Sequence, residues 1–338
     1  MGELNETQRY FIEEHVEDFR EGHITRRELF RRVSLIAGSA ALATTILAAC
    51  DLSPKSGAGG IATATPGTSA GGGATPTAAT TAGLVAAGPY ATPPAQATTD
   101  GITVRPDDPR ISVSKPTGFG PNGADMLGYM AKPNLSGKVA GVLVIHENRG
   151  QTEHIRDVVR RVATAGFVGL NIDLAWRDGG ADKLTDQAAY NAALGKRSTD
   201  DKNADHRAAI AFLKTQTSGT VGVTGFCFGG GEVWNILIAG LDVKAAAPFY
   251  GPQPSNFADL SKTKAAVAAV YAEMDTRITS SSSQMEEQLK KAGAPYQITI
   301  YPGVGHAFHN DTGAAYNATQ AQRAWVATIE WFKKYLTA

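Results

Sequence analysis

The stretch GFCFGG at residues 225–230 predicts a sharp turn between a strand and a helix. The preceding Thr220–Thr224 suits a buried strand, and Glu232–Ala239 suits a helix. A Gly-x-nucleophile-x-Gly sequence in this position lifts the central side chain above the sheet, beside the free N–H groups of a helix N-terminus. Those groups favour a thiolate at Cys227 and can stabilise an oxyanion. The alternative is a structural cysteine, because a free cysteine often packs as a small hydrophobic residue.

Two downstream residues favour catalysis. Asp275 follows the apolar run 265–272, and His306 follows the strand-like run 296–301. The order nucleophile, acid, histidine is the order of an α/β-hydrolase, in which each member lies on a loop after a strand. His306 would accept the thiol proton, and Asp275 would orient the imidazole and stabilise its charged form. The sequence therefore predicts Cys227 as a catalytic nucleophile.

These segments, together with VLVIHENRG at residues 142–150, resemble the dienelactone hydrolases (carboxymethylenebutenolidases). The resemblance covers roughly residues 110–336 and implies a Cys-His-Asp triad on an α/β-hydrolase fold. It also implies that Glu147 helps to switch the thiol to its reactive state when substrate binds. The backbone N–H groups of Phe228 and Asn148 fall at the oxyanion hole of the family, where two donors would stabilise a tetrahedral intermediate.

Substrate specificity is less strongly indicated. The resemblance implies arginines that grip a substrate carboxylate, and Arg177 is placed suitably for one of them. The position of the other, just after His306, holds no arginine. A neutral lactone or ester is therefore as reasonable as an anionic dienelactone, with Trp176 and Phe228 as an apolar wall. Arg177 could instead be an ordinary surface charge, or the salt-bridge partner of Glu147, a role that Arg149 could also fill.

The first 50 residues predict an export leader. Arg26 and Arg27 precede a stretch without charge, residues 33–49, which is diluted by alanine, glycine and threonine. An arginine pair before a moderately apolar segment is typical of a twin-arginine signal, which an export machinery reads on folded proteins. An uncleaved membrane anchor is the alternative, since a stretch of this length can span a bilayer. Residues 1–24, ahead of the signal, have the pattern of an amphipathic helix.

The leader ends in LAAC, residues 47–50, which resembles a bacterial lipobox. We therefore expect Cys50 to be lipidated and to become the mature N-terminus, in preference to ordinary cleavage. This predicts an exported lipoprotein of the bacterial cell envelope, anchored to the membrane on its extracytoplasmic side. Each of the two cysteines then has its own role, so no disulfide is expected.

Residues 51–100 predict a flexible tether. They consist largely of Gly, Ala, Thr, Pro and Ser and cannot bury enough apolar surface to offset the entropy of ordering. A spacer that holds an enzyme off a surface is the favoured interpretation, and a remnant of the leader without a selected length is the alternative.

Residues 101–338 predict one α/β-hydrolase domain, in which a mostly parallel sheet carries helices on both faces. Its active site would lie at the carboxyl ends of the strands. Residues 111–130 should add an antiparallel edge hairpin, and the long connection 175–201 is a candidate lid. The predicted strands are Val139–His146, Phe167–Asp173, Thr220–Thr224, Ala245–Tyr250, Ala266–Tyr271 and Tyr296–Tyr301. The predicted helices are one between the first two strands, Asp205–Gln216, Met285–Ala292 and a C-terminal helix containing Trp325, Ile329, Phe332 and Leu336.

Charge and ligand patterns narrow the function further. The 32 basic residues balance the 32 acidic ones without a basic stripe, which argues against nucleic acid. The glycine runs lie in the tether and not in a phosphate-binding loop, so we expect no nucleotide cofactor. Neither His146 nor His309 has carboxylate or cysteine neighbours at metal-ligand spacing, so we expect no metal. His146 should orient the oxyanion loop, and His309 is a weaker candidate base than His306.

Together these patterns predict acyl transfer without a cofactor, in which Cys227 forms a thioester with a small lactone or ester and water then releases the acid. The alternatives are a general esterase for neutral substrates, a surface-anchored binding protein on a hydrolase scaffold, a cysteine peptidase and a thiol-based redox protein. The last would need a resolving cysteine, and Cys50 lies beyond a long tether.

Overall fold

An eight-stranded sheet forms the centre of the protein in the computed structural model, which describes residues 4–53 and 103–337. The strand order is β1-β2-β4-β3-β5-β6-β7-β8. The strands are β1 Ile111–Ser114, β2 Gly128–Pro133, β3 Gly141–Ile145, β4 Val168–Ile172, β5 Val221–Phe226, β6 Ala245–Phe249, β7 Ala266–Ala272 and β8 Tyr296–Tyr301. Nearly all of the predicted tether, 51–100, lies outside the described residues.

Helices flank this sheet and also precede it. The α-helices are α1 Glu6–Arg20, α2 Arg26–Ala37, α3 Ala40–Ala49, α4 Glu153–Thr164, α5 Gly180–Lys183, α6 Gln187–Gly195, α7 Thr199–Gln216, α8 Phe228–Ile238, α9 Thr276–Thr279, α10 Ser282–Ala292 and α11 Ala318–Leu336. Short 3-10 helices span Pro121–Gly123, Trp176–Asp178 and Phe257–Lys262. The predicted α/β-hydrolase class, with a mostly parallel sheet and flanking helices, is confirmed.

The six strands β3 to β8 are parallel, whereas β1 and β2 pair antiparallel at one edge. The predicted edge pair therefore exists, and the six predicted parallel strands are present, with ends that differ from the predicted ones by no more than two residues. Residues 142–145 of β3 are fully buried, as expected for a β-branched run covered on both faces. The candidate lid, 175–201, is mostly helical and contains α5 and α6.

Parallel strands bring the chemistry-bearing residues to a single edge of the sheet. Glu147 follows β3, Cys227 follows β5, Asp275 follows β7 and His306 follows β8. The carboxyl ends of parallel strands all point the same way, so loops after them meet in one crevice. The topology therefore assembles four side chains that are far apart in sequence.

The N-terminal helices α1 and α2 pack against this domain, and α3 packs on α2. The amphipathic face predicted for residues 1–24 is buried, with Phe11 fully inaccessible, and α2 packs on α6. Asn5 Nδ2 donates to the Gly195 carbonyl over 2.7 Å, and Arg31 pairs with Asp186.

Among the described residues no single helix is long and apolar enough to cross a membrane. Only α2 and α3 taken together meet that test, with a bend of 117° between them, and a signal sequence can meet it too.

Candidate active site

The predicted turn is present, with Cys227 in a strained backbone conformation at the start of α8. Its φ is 58° and its ψ is −121°, a region that residues with a side chain rarely adopt. Flanking glycines permit the turn, because a Cβ on Gly225 would lie 2.2 Å from the Gly229 carbonyl oxygen. A Cβ on Gly229 would lie 2.5 Å from the carbonyl oxygens of Ile145 and His146. The backbone of β3 and the turn are therefore in direct contact.

The side chains predicted to form a triad lie together. His306 Nδ1 and Asp275 Oδ2 are 2.6 Å apart, and a His306 ring nitrogen lies within 4.8 Å of Cys227 Sγ. Because Nδ1–H donates to the carboxylate, Nε2 is the basic nitrogen of the neutral ring. That buried atom has no hydrogen-bond partner within the described part of the chain. The arrangement allows the imidazole to exchange a proton with the thiol.

Electrostatics favour a charged imidazole at this position. Burial disfavours a proton on His306, but the negative charges of Cys227 and Glu14, together with the hydrogen-bonded aspartate, raise its pKa well above the usual value. Burial likewise disfavours charge on Asp275, yet the neighbouring imidazolium outweighs it and lowers the pKa of the carboxyl group. The pair thus stabilises the ionic form that a thiolate requires.

Glu147 is buried and lines the same cavity as Cys227, and within the described residues it does not form the alternative salt bridge. Its Oε2 accepts a hydrogen bond from Asn310 Nδ2 over 2.7 Å, while Oε1 finds no partner among residues 4–53 and 103–337. Neither Arg149 nor Arg177 pairs with it in that part of the chain. An unpaired buried carboxylate oxygen is costly, and such groups cluster at functional sites.

His146 holds the loop that carries Glu147 and Asn148. Its Nε2 accepts from the Leu174 N–H over 3.0 Å, so Nδ1–H donates to the Glu147 carbonyl, 2.6 Å away. Burial lowers the pKa of His146, which keeps the ring neutral and preserves this tautomer. The predicted orienting contact is therefore present. His309, in contrast, is buried 5.0 Å from the Phe226 ring and faces the core.

The two predicted oxyanion donors border the nucleophile from separate segments. Phe228 is the first residue of α8, so its N–H has no acceptor within the helix. Asn148 lines the same cavity as Cys227, and its Oδ1 accepts from Gln187 Nε2 over 3.4 Å.

Arg177 and Trp176 are not brought into that cavity. The Arg177 guanidinium makes a two-pronged ion pair with Asp205 over 2.6 and 2.9 Å and stacks 4.3 Å above the Trp176 ring centroid. Asp205 is fully buried, so its charge needs the arginine as a counterion. Their predicted contact with substrate stays a prediction.

A cavity of 580 Å³ contains the site. Its walls come from the loops after the strands and from acidic residues of α1. The catalytic-domain residues that line it include Glu147, Asn148, Cys227, Asp275, Arg277, His306 and Asn310.

Sequence reasoning missed the part played by α1 in this cavity. Tyr10 Oη lies 3.1 Å from Cys227 Sγ, and Glu14 forms an ion pair with Arg277. Burial, reinforced by the charge of Cys227, raises the pKa of Tyr10 well above its usual value, so its O–H stays available to donate to sulfur. Only the amphipathic pattern of residues 1–24 hinted that this helix packs on something.

One trio of potential metal ligands occurs among the described residues, namely Glu14, Cys227 and His306, whose ligand atoms lie within 4.8 Å of one another. Two of the three already have strong partners, since Glu14 pairs with Arg277 and His306 with Asp275. The expected independence from metals stays a prediction.

A mostly parallel sheet defines an α/β-hydrolase when a strained nucleophile turn, an acid and a histidine follow its strands in that order, as they do here after β5, β7 and β8. Within that class, the chain belongs to the dienelactone hydrolase family, whose profile matches residues 126–336. It is therefore a hydrolase, and the family expectation from the sequence is confirmed.

Relatives support the same assignment. A carboxymethylenebutenolidase-named protein of Escherichia coli O157:H7 is 31% identical over 257 residues, covering 72% of this chain and 94% of its own length. A protein of the same name from Methylorubrum extorquens is 33% identical over 221 residues, covering 61% and 76%. A dienelactone hydrolase-named crystal structure from Klebsiella pneumoniae has a TM-score of 0.61 at 28% identity, covering 67% of this chain and 99% of its own.

Proposed function

We propose that this protein hydrolyses a lactone or a small carboxylic ester without a cofactor, with Cys227 as the nucleophile. The observation that carries the proposal is the alignment of three groups. Cys227 Sγ lies within 4.8 Å of a His306 ring nitrogen, and His306 is hydrogen-bonded to Asp275 over 2.6 Å. This is the arrangement that an activated nucleophile requires.

In the acylation step, the Cys227 thiolate attacks the carbonyl carbon. The N–H groups of Phe228 and Asn148 bind the oxyanion that forms, and His306 donates its proton to the leaving oxygen as the C–O bond breaks. In the second step, His306 removes a proton from water, which attacks the thioester. The carboxylic acid leaves, and the thiolate and imidazolium are restored. For a lactone, the leaving alcohol stays attached, so a single ring-opened acid results.

Glu147 would control when the thiol becomes charged. A second negative charge beside its buried carboxylate is unfavourable, because charges in a site of low polarity repel each other strongly. A substrate that displaced Glu147 would therefore ease formation of the thiolate. Such a movement would break the hydrogen bond that Glu147 Oε2 accepts from Asn310 Nδ2.

A general esterase and a non-catalytic binding protein are the two alternative functions, and each has a specific observation in its favour. The ion pair between Arg177 and Asp205 favours a general esterase for neutral substrates, because Arg177 does not line the cavity. A binding protein on a hydrolase scaffold fits the occupation of the cavity by α1. The intact acid–histidine pair and the strained turn favour catalysis over the binding protein, and they serve a neutral and an anionic ester equally.

The test is a substrate panel of a dienelactone, neutral lactones and p-nitrophenyl esters, run on the full chain with acid quench and intact-mass analysis. We expect turnover together with an acyl adduct that peptide mapping places on Cys227. The Cys50→Ala variant should give the same adduct, which would show that the acyl group is on Cys227 and not on Cys50. Turnover with the adduct on another residue would refute the mechanism. No turnover by the folded wild type and none by a folded Glu14→Gln chain, which lacks the α1 carboxylate near Cys227, would favour the binding protein.

We further propose that residues 1–50 direct export to the bacterial cell envelope, that the twin-arginine machinery is the partner, and that Cys50 carries a lipid anchor. In support, Arg26 and Arg27 are exposed on the folded chain, where a receptor could read them. Cys50 is partly exposed at the end of α3.

Cell fractionation tests this assignment. Replacing both arginines (Arg26→Lys with Arg27→Lys) should keep the protein in the cytoplasm, because the export machinery recognises the arginine pair and not the positive charge alone. Cys50→Ala should leave export intact and abolish labelling by radioactive palmitate. Normal export of the double-lysine variant would exclude the twin-arginine route, and palmitate labelling of Cys50→Ala would exclude the anchor.

A further inference from the structure

Helix α1 lies across the mouth of the active site through close contacts with the nucleophile turn. Tyr10 Oη is 3.1 Å from Cys227 Sγ. The Phe11 ring, which is fully buried, lies 5.3 Å from the ring of Phe228, the residue that supplies an oxyanion donor in the proposed mechanism. The helix therefore contacts the nucleophile and its neighbour with two aromatic side chains in succession.

A carboxylate of the same helix reaches the reacting groups. Glu14 pairs with Arg277, and its oxygen lies within 4.8 Å of both Cys227 Sγ and a His306 nitrogen. The Glu14 side chain is 13% exposed, so this charge is largely removed from water. Within the described residues, the ion pair with Glu14 is the only one that Arg277 makes, and its guanidinium also lies over the Tyr10 ring.

Buried polar contacts fix the helix in this place. Lys202 Nζ donates to Thr7 Oγ1 over 2.7 Å while it is paired with Glu232, and all three groups are buried. On the next turns, His15 Nε2 accepts from Asn191 Nδ2 over 3.2 Å. Such contacts need matched geometry, because an unsatisfied buried polar group is costly. The helix is thus docked by specific interactions as well as by apolar packing.

We propose that α1 is an internal inhibitor of the active site, and that its Glu14 carboxylate occupies an anion subsite formed by Arg277. The proposal rests on the hydrolase function proposed above. In this proposal the ligand of Arg277 is the carboxylate of a substrate or product. That carboxylate binds the guanidinium in place of Glu14 when the helix leaves.

Steric exclusion is the basis of the inhibition. A substrate carbonyl carbon must come within about 3–3.5 Å of the attacking sulfur. Tyr10 Oη already stands 3.1 Å from that atom, and Cys227 is only 4% exposed, so a substrate carbon cannot reach the sulfur from the side that α1 covers while the helix is docked. Arg26 and Arg27 are exposed while the helix is docked in this way. A chain awaiting export would therefore present its twin-arginine signal while its active site is blocked.

Thiol reactivity tests the inhibition on the full chain. In a Cys50→Ser background, the alkylation rate of Cys227 by iodoacetamide reports the fraction of molecules with the helix displaced. Glu14→Gln removes the charge that Arg277 binds, and Phe11→Ala removes the contact with Phe228 without changing any charge near the thiol. We expect alkylation to become about tenfold faster in both variants, and a faster rate in Glu14→Gln alone would reflect the lost charge and would overturn the inhibition. Glu13→Gln, an exposed neighbour on the same helix, should change the rate less than twofold. Equal rates for folded wild type and Glu14→Gln, with circular dichroism as the check on folding, would overturn the inhibition.

Substrate choice tests the subsite separately. In the Glu14→Gln chain, we expect turnover of mono-p-nitrophenyl succinate to rise more than that of p-nitrophenyl acetate. Adding Arg277→Gln should then remove the preference for the succinate ester, by about tenfold in the ratio of kcat/KM values, while acetate turnover persists. An unchanged ratio would overturn the subsite. A loss of all Cys227-dependent turnover in every chain would instead refute the hydrolase function, so the two failures are distinguishable.

Discussion

Cys227→Ala should lower kcat/KM for any ester or lactone substrate by about 10⁴-fold or more, because the proposed acyl intermediate forms on this sulfur. The measurement is initial-rate kinetics on the full chain, or on the Glu14→Gln chain if the helix limits the wild-type rate. The fold should survive the substitution. Alanine keeps the Cβ, and the 4% exposed thiol contributes one small contact, so we expect Tm to change by less than about 5 °C.

The matched control for this prediction is Cys50→Ala, which removes the other cysteine and should leave the kinetics unchanged. Cys50 lies at the end of α3 and does not line the cavity that contains the nucleophile. Cys227→Ala with more than about a tenth of wild-type turnover would show that the reaction does not pass through a thioester on this residue.

Gly229→Ala should destabilise the protein by about 3 kcal/mol or more, through a clash between two stretches of backbone. Its Cβ would lie 2.5 Å from the carbonyl oxygens of both Ile145 and His146, and backbone at the end of a central strand cannot move aside as a flexible side chain can. Alanine would gain about 1 kcal/mol of helix propensity in α8, which is too little to compensate. We expect Tm to fall by roughly 6–12 °C in a thermal melt.

Gly313→Ala is the control for this second variant. Its Cβ would meet its nearest neighbour, the Asn310 carbonyl oxygen, at 3.5 Å, which is ordinary van der Waals contact. We expect a change in stability within about 0.5 kcal/mol. Equal melting temperatures for the two variants would mean that the turn and β3 can separate without cost, contrary to the close packing described here.

Local sequence determined most of the sheet and the candidate triad. Parallel strands need β-branched runs and loops after their carboxyl ends, and both are visible without coordinates. The turn at Cys227 was predictable because only glycine allows the backbone to approach so closely on either side of it. Asp275 and His306 could be placed from their positions after predicted strands, since the fold dictates where such residues converge.

Arg177 illustrates what a sequence pattern cannot decide. Its position suited a substrate contact, but the structure pairs it with the buried Asp205, 28 positions further along the chain. Sequence spacing shows which loop an arginine occupies but not which of several carboxylates will reach it. Similarly, Asn310 stands where a second arginine was sought, and its contact with Glu147 depends on two loops that meet only in the folded domain.

The sequence by itself therefore determined the α/β-hydrolase class, the family and the residues of the candidate triad, because each depends on a local pattern of backbone preference and burial. Tertiary structure alone decided what fills the active site. The amphipathic pattern of α1 predicts an apolar face but not its partner, since hydrophobic burial is non-directional. Only the docked chain shows that Tyr10 and Glu14 meet Cys227 and Arg277, over 200 positions away.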